Sequence, residues 1–226
     1  MALADSTLIA RGAEAEIYLG EFFGVRVVIK KRVGKPFRNP VFNRVFIESR
    51  TRTEAKILSE LYLAGVPVPP VLLVDEEAGV IVMEYIEGSR LSDILGSLSA
   101  SVVEEIAGDI GRYAALMHNM GIYHGDFTLA NVLLRESGKT VIIDFGLSGY
   151  SNDVEEYAID LHLVSRSVEA LFPELAEAFT RTMFRAYREH STAGDAVVKK
   201  VSEIRARGRY VDREIRKAVL REKYVE

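Results

Sequence analysis

Two short segments constrain this chain more than anything else in it: His124-Gly-Asp-Phe-Thr-Leu-Ala-Asn131 and Ile142-Ile-Asp-Phe-Gly146. The first places an Asp and an Asn five positions apart. The second follows a short β-branched run with Asp-Phe-Gly. Together they supply a carboxylate able to act as a base and two ligands for Mg²⁺. Those are the polar groups that phosphoryl transfer from ATP requires.

The rest of the chain sets the frame for these segments. Its 226 residues suffice for one large domain or two small lobes with real cores. No apolar run reaches the roughly 18 residues needed to span a bilayer, and no basic-then-apolar leader opens the chain. There are no cysteines, which removes disulfides and thiolate metal sites. The expected location is the cytoplasm, without a membrane. The net charge of −4 is unevenly spread. From Lys30 to Lys56 there are 9 Lys/Arg against 2 Asp/Glu, and from Lys199 onward 10 against 5. Such runs read either as solvated helix faces or as two basic surfaces for an anionic macromolecule.

The first third reads as strands. Ile17 to Lys30 suggests two strands around a turn near Phe23-Gly24. Lys35-Pro-Phe-Arg-Asn-Pro40 reads as a loop, because two prolines oppose a regular helix there. A helix is expected from about Val41 to Ala64, with Ile47, Ala55, Leu58 and Leu61 at helical spacing and Gly65 as its stop. Val71 to Val74 and Val80 to Tyr85 read as a hairpin. After Glu87-Gly-Ser89 the periodicity changes. Val102 to Met120 carries an apolar stripe of Val103, Ile106, Ile110, Tyr113, Ala114 and Met117. From Glu155 onward the pattern is helical. The layout predicts an α+β protein with a β-rich N-lobe over residues 1–86, a mostly helical C-lobe over 87–204 and a basic tail over 205–226.

Phosphoryl transfer draws on groups scattered along a chain, and each has a candidate. Lys30 ends a β-branched strand, where its ammonium is suited to reach phosphate oxygens. Glu54 in Arg52-Thr-Glu-Ala-Lys56 is placed to pair with Lys30. Asp126 is suited to orient an attacking hydroxyl and accept its proton. Asn131 and Asp144 are suited to hold Mg²⁺. Taken singly, Lys30 and Glu54 read as surface charges, Asp126 as a turn cap and Asp144 as a strand-end Asp. Their order and spacing together favour the functional reading.

Val28-Ile-Lys30, Glu54, Met83-Glu-Tyr-Ile86, His124-Gly-Asp126, Asn131 and Asp144-Phe-Gly146 resemble the eukaryotic-type protein kinase set over nearly the whole chain. The resemblance implies a two-lobed protein-kinase-like fold. It implies Met83 as gatekeeper, and Glu84 and Ile86 as backbone partners of adenine. It makes His124 structural, His118 an ordinary helix residue and Asp160 a support of the catalytic loop. The departures narrow it. Position 125 is Gly, where regulated kinases carry the Arg that pairs with a phosphorylated activation loop. The glycine-rich loop is reduced to Gly12-Ala-Glu-Ala-Glu16, with Gly12 and Ala13 left to approach the nucleotide. Only the short stretch 147–159 separates Gly146 from Asp160, and it holds no Ala-Pro-Glu.

These departures, with Arg50-Thr-Arg-Thr-Glu-Ala55, Val66-Pro-Val-Pro69 and a basic Arg205-Ala-Arg-Gly-Arg209 tail, resemble the small atypical kinase of the KEOPS complex. That complex makes the threonylcarbamoyl modification of adenosine in transfer RNA. The resemblance implies ATP and Mg²⁺ as cofactors, and serine/threonine kinase or ATPase activity. The implied partners are the threonylcarbamoyl-transferase subunit and a small subunit contacting the N-lobe. Two alternatives stand beside it. One is a small-molecule phosphotransferase of the aminoglycoside-kinase kind, for which the stretch 147–226 leaves little room to build a substrate pocket. The other is a non-enzymatic nucleotide- or transfer-RNA-binding scaffold.

Overall fold

The computed structural model describes residues 6–207 apart from Ala13 and Arg38. Two compact units emerge: residues up to Ser97 together with His124–Tyr150, and Leu98–Tyr123 together with residues from Ser151 on.

The first unit is built on five strands: β1 (Thr7–Arg11), β2 (Ala15–Phe22), β3 (Val25–Arg32), β4 (Val71–Asp75) and β5 (Val80–Glu84). They form one sheet in the order β1-β2-β3-β5-β4. Phe22 pairs with Val25. The two residues between them, Phe23 and Gly24, both have positive φ (49° and 79°), the twist that joins antiparallel strands by a two-residue turn. Alternation along β3 then sorts its side chains. Val27 and Ile29 join Val80 and Val82 in one buried cluster. Val28 falls on the opposite face with Ala55, Ile81 and Met83. Lys30 and Arg32, two and four residues on, share that face with Val28.

Helix α1 (Pro40–Leu63) covers this face. Pro40 is its first residue, so the loop expected to run through Pro40 ends one residue earlier. Proline is tolerated there because the first helical N–H has no intrahelical partner. Asn39 caps the start, accepting from the N–H of Val41 at 2.9 Å. The buried residues Thr51, Glu54, Ala55, Leu58 and Leu61 repeat at helical spacing. Glu54 is therefore a carboxylate set within an otherwise mainly apolar stripe. Further along the chain come β6 (Ser89–Arg90), α2 (Leu91–Ile94), β8 (Val132–Leu134), β9 (Thr140–Ile142) and β10 (Gly149–Tyr150). β6, β8 and β9 form a small antiparallel sheet. The Asn131 carbonyl, just before β8, accepts from the N–H of Ile143, just after β9, at 2.9 Å.

The second unit holds α3 (Ala100–Asn119), β7 (Ile122–Tyr123), α4 (Val154–Leu171), α5 (Ala176–His190) and further helical residues 194–207. The whole stripe expected on α3 is buried. His118, expected to be an ordinary helix residue, is instead a buried hub. It stacks on Tyr157, hydrogen-bonds Tyr187 Oη at 2.8 Å and lies 3.3 Å from the buried Asp160 carboxylate. Among the described part of the tail, Arg205 pairs with Glu169 and Arg207 with Glu155. Arg209 and the remaining tail lie outside the described residues. No helix among the described residues is long and apolar enough to cross a membrane.

Close approach of α3 to α5 depends on Gly111, where a Cβ would lie 2.2 Å from the Met183 carbonyl oxygen. Gly111→Ala is therefore expected to destabilise the chain by about 1–3 kcal/mol. Urea unfolding of the two proteins measures it.

Candidate nucleotide site

The five residues singled out for chemistry all belong to the first unit. Lys30 reaches two carboxylates at once: its Nζ donates to Glu54 Oε1 and to Asp144 Oδ1, each at 2.7 Å. Arg32 binds the other oxygen of Glu54, with Nη2 2.5 Å from Oε2. Lys30, Arg32 and Glu54 are 7%, 6% and 2% exposed. Two cations and a carboxylate thus sit in the interior, and the Asp144 side chain, 54% exposed, completes the charge balance.

The sequence positions explain this convergence. Alternation puts Lys30 and Arg32 on the face of β3 toward α1, and Glu54 lies on the α1 stripe that meets it. Burial works against the Lys30 ammonium. Glu54 and then Asp144 outweigh that cost and hold its pKa above the usual lysine value. Burial likewise opposes ionisation of Asp144. The Lys30 ammonium and the Gly146 N–H, 3.2 Å from Oδ1, outweigh it and hold the carboxyl below the usual carboxylate range. The Asp144 backbone adopts φ 62°, a conformation that Asp and Asn tolerate better than most residues.

The loop carrying Asp126 is tied by its neighbours. The Asn131 amide nitrogen donates to the Asp126 carbonyl at 2.8 Å and to its Oδ2 at 3.0 Å. The amide oxygen of Asn131 is then the atom left to meet a hard cation. His124 is fully buried between Phe127 and Phe145. One of its ring nitrogens lies 3.1 Å from the Ile143 carbonyl, and the other accepts from the Asp126 N–H at 3.2 Å. That environment fits the structural role expected of it. Gly125 has φ 81°, and a Cβ there would stand 2.5 Å from the Leu147 carbonyl oxygen.

A cavity of about 380 Å³ opens beside Lys30 and Asp144, and Asp126 is not among the residues that line it. Ile17, Val28, Met83 and Leu133 supply apolar wall, and Lys30, Glu54, Asn131 and Asp144 line it as well. Glu84 and Ile86 border it too. The Glu84 N–H is taken by the Pro70 carbonyl at 3.0 Å, so its own carbonyl is the group to present to a ligand. Gly12 is exposed, its N–H bonded to the Ala15 carbonyl at 2.9 Å. Ala13 lies outside the described residues. Among the described residues no cluster of three or more His, Asp or Glu is placed to hold a metal. One carboxylate and one amide oxygen suit Mg²⁺, which usually completes its shell with substrate phosphates and water.

Two residues at this site escaped the sequence reading. Arg32 lies two positions beyond Lys30 on the same strand face. Arg50 lies one turn before Glu54 on α1, and its guanidinium donates to the carbonyls of Gly146 and of Ser148, the latter at 3.4 Å. These offsets of two on a strand and four on a helix were the available signal. The basic stretch from Lys30 to Lys56 is also less of a surface than its charge suggested. Lys30 and Arg32 are internal, and Arg52, Arg44 and Lys56 pair with Glu76, Glu48 and Glu60.

Because the Asp144 pKa is lowered on folding, its stabilising contribution is complete above the ordinary carboxylate value. It is lost as the pH falls through the lowered one. The thermal midpoint of Asp144→Asn should therefore differ most from wild type near neutrality. The gap should shrink as the pH drops below about 4, which melting curves across pH will show.

A profile of the RIO domain matches residues 27–160. KEOPS complex subunit Bud32 of Pyrococcus abyssi is 38% identical over 214 residues, spanning 91% of this chain and 97% of that protein. A probable serine/threonine-protein kinase BUD32 homolog of Archaeoglobus fulgidus is 36% identical over 202 residues, or 89% of this chain and 95% of that one. A probable bifunctional tRNA threonylcarbamoyladenosine biosynthesis protein of Methanothermobacter thermautotrophicus is 36% identical over 206 residues, which cover 91% of this chain but 37% of that longer protein. The chain belongs to the RIO-domain family of protein-kinase-like proteins, in the group that contains the Bud32 subunits.

Proposed function

We propose that the cavity of the first unit takes ATP with Mg²⁺, and that the chain is an atypical kinase or ATPase. In this reading it supports threonylcarbamoyl-adenosine formation in transfer RNA as a cytoplasmic KEOPS subunit. One observation carries the nucleotide reading: a buried lysine held at 2.7 Å by two carboxylates faces a cavity lined by Met83, Glu84 and Ile86. The setting in transfer RNA modification rests on the names of the relatives. The relatives' names support membership of a complex. The two partners proposed within it, a threonylcarbamoyl-transferase subunit and a small subunit on the β-rich region, follow from the resemblance of the sequence motifs.

Each residue then has a task. The Glu84 carbonyl and the Ile86 backbone meet the adenine edge, and Met83 limits the depth of the cavity. Lys30, kept in place by Glu54, binds phosphate oxygens. Asn131 and Asp144 hold Mg²⁺, which when bound neutralises charge on those oxygens. Asp126 accepts a hydrogen bond from the attacking hydroxyl or water. As the new bond to the γ-phosphorus forms, the bond to the β-phosphate oxygen breaks and the proton passes to Asp126. The Asn131 amide on Oδ2 keeps that carboxylate oriented.

The pairing of Arg44, Arg52 and Lys56 with acidic neighbours, and of Arg205 and Arg207 with Glu169 and Glu155, disfavours a purely RNA-binding scaffold.

ATP turnover with the partner subunits and transfer RNA present tests the reading. Asp126→Ala should lower the rate by about 10²–10⁴-fold, and Asp144→Ala should abolish the Mg²⁺-dependent rate. Wild-type turnover in both variants contradicts the proposal.

A further inference from the structure

We infer that Arg50 is a positioning residue that locks the Asp144-Phe-Gly loop from α1, doing without phosphorylation what regulated kinases do through a phosphorylated loop. The inference rests on the reading of Asp144 as a Mg²⁺ ligand.

Three observations carry it. First, the loop after Asp144 is held by its carbonyls. The Gly146 carbonyl accepts from Arg50 and lies 3.5 Å from Arg32 Nη2. The Ser148 carbonyl accepts from Arg50 at 3.4 Å. The Phe145 carbonyl accepts from the Ser148 hydroxyl at 2.7 Å. An arginine fork is well made to span two acceptors, whereas a lysine ammonium offers a single point of charge.

Second, the loop needs such a hold. Asp144 sits at φ 62°, and a residue there persists only where its surroundings over-determine the conformation. Its carboxylate is pulled inward by Lys30, and its Oδ1 accepts the Gly146 N–H. Fixing Gly146 therefore fixes the donor to that oxygen.

Third, the usual device has no place here. At Gly125, φ 81° and a Cβ position 2.5 Å from the Leu147 carbonyl oxygen exclude an arginine with this backbone. The space where a phosphate-reading side chain would begin is filled by the loop's own main chain. Arg50 and Glu54 lie one turn apart on α1, so one helix positions both Lys30, through Glu54, and the Asp144 loop. The acceptors of Arg50 are backbone carbonyls, which carry no group that phosphorylation could change.

The test uses the full-length chain and the non-hydrolysable nucleotide AMP-PNP, titrated with Mg²⁺ and with EDTA. The wild type should bind it more tightly with Mg²⁺, and phosphatase treatment should leave that gain unchanged. Arg50→Ala should lose about tenfold of the gain or more while its affinity in EDTA stays within about twofold of wild type. Arg50→Lys should fall between the two. A full Mg²⁺ gain in Arg50→Ala overturns the inference, as does an equal loss of affinity in EDTA, which marks a role in the fold alone. Loss of the gain on phosphatase treatment overturns it too. If Arg50→Ala does not fold, Arg50→Lys carries the comparison, and an unfolded Arg50→Lys also counts against the proposal. A wild type with no Mg²⁺ gain overturns the nucleotide reading itself, a result distinct from failure of the Arg50 variants.

Discussion

Everything at this site depends on one buried carboxylate shared by two cations. Glu54 gives one oxygen to Lys30 and the other to Arg32, and all three side chains are removed from water. Taking such charges out of water costs several kcal/mol per ion, and only close pairing offsets it. A buried network of this kind is poor evidence for stability. Its value is placement: Lys30 is held between Glu54 and Asp144. The cost falls on the core of the first unit, where Ile57, Leu58 and Leu61 on α1 are buried, each contributing about 1.5–3 kcal/mol.

The same helix reaches the Asp144-Phe-Gly146 loop by a second route. Glu54 sets Lys30, and Arg50, one turn earlier, holds the carbonyls after Asp144. Gly125 makes this economy of parts possible by letting the Leu147 carbonyl pack against the His124-Gly-Asp126 loop. The residue that departs from regulated kinases is thus the one whose missing side chain gives the loop its resting place. With only the stretch 147–159 between Gly146 and Asp160, the chain has no long segment there to order by phosphorylation. Its geometry provides fixed contacts in that role.

Much of this was legible in the sequence. The β2–β3 turn, α1 and the α3 stripe follow from residue type and period, and Lys30, Glu54, Asp126, Asn131 and Asp144 from type, order and spacing. β1 was not legible, because every residue of Thr7–Arg11 is exposed and leaves no alternation to read. Arg32 and Arg50 were not, because an arginine on a strand or helix ordinarily points to solvent, and only pairing across elements shows otherwise. His118 was misread for a related reason. A polar residue on an apolar stripe is a hub only when distant partners such as Tyr187 and Asp160 come to meet it. Local pattern specifies elements and strongly typed motifs. Long-range polar partners are set by packing.

The central claim is that Lys30 is poised to exchange one carboxylate for phosphate while Glu54 keeps hold of it. The most direct measurement is a crystal structure of the chain with Mg²⁺ and a non-hydrolysable ATP analogue. The account predicts that Lys30 stays on Glu54 and turns from Asp144 to phosphate oxygens, with Asp144 and Asn131 on the metal. A nucleotide bound elsewhere, or one bound with the Lys30–Asp144 pair intact, would contradict it.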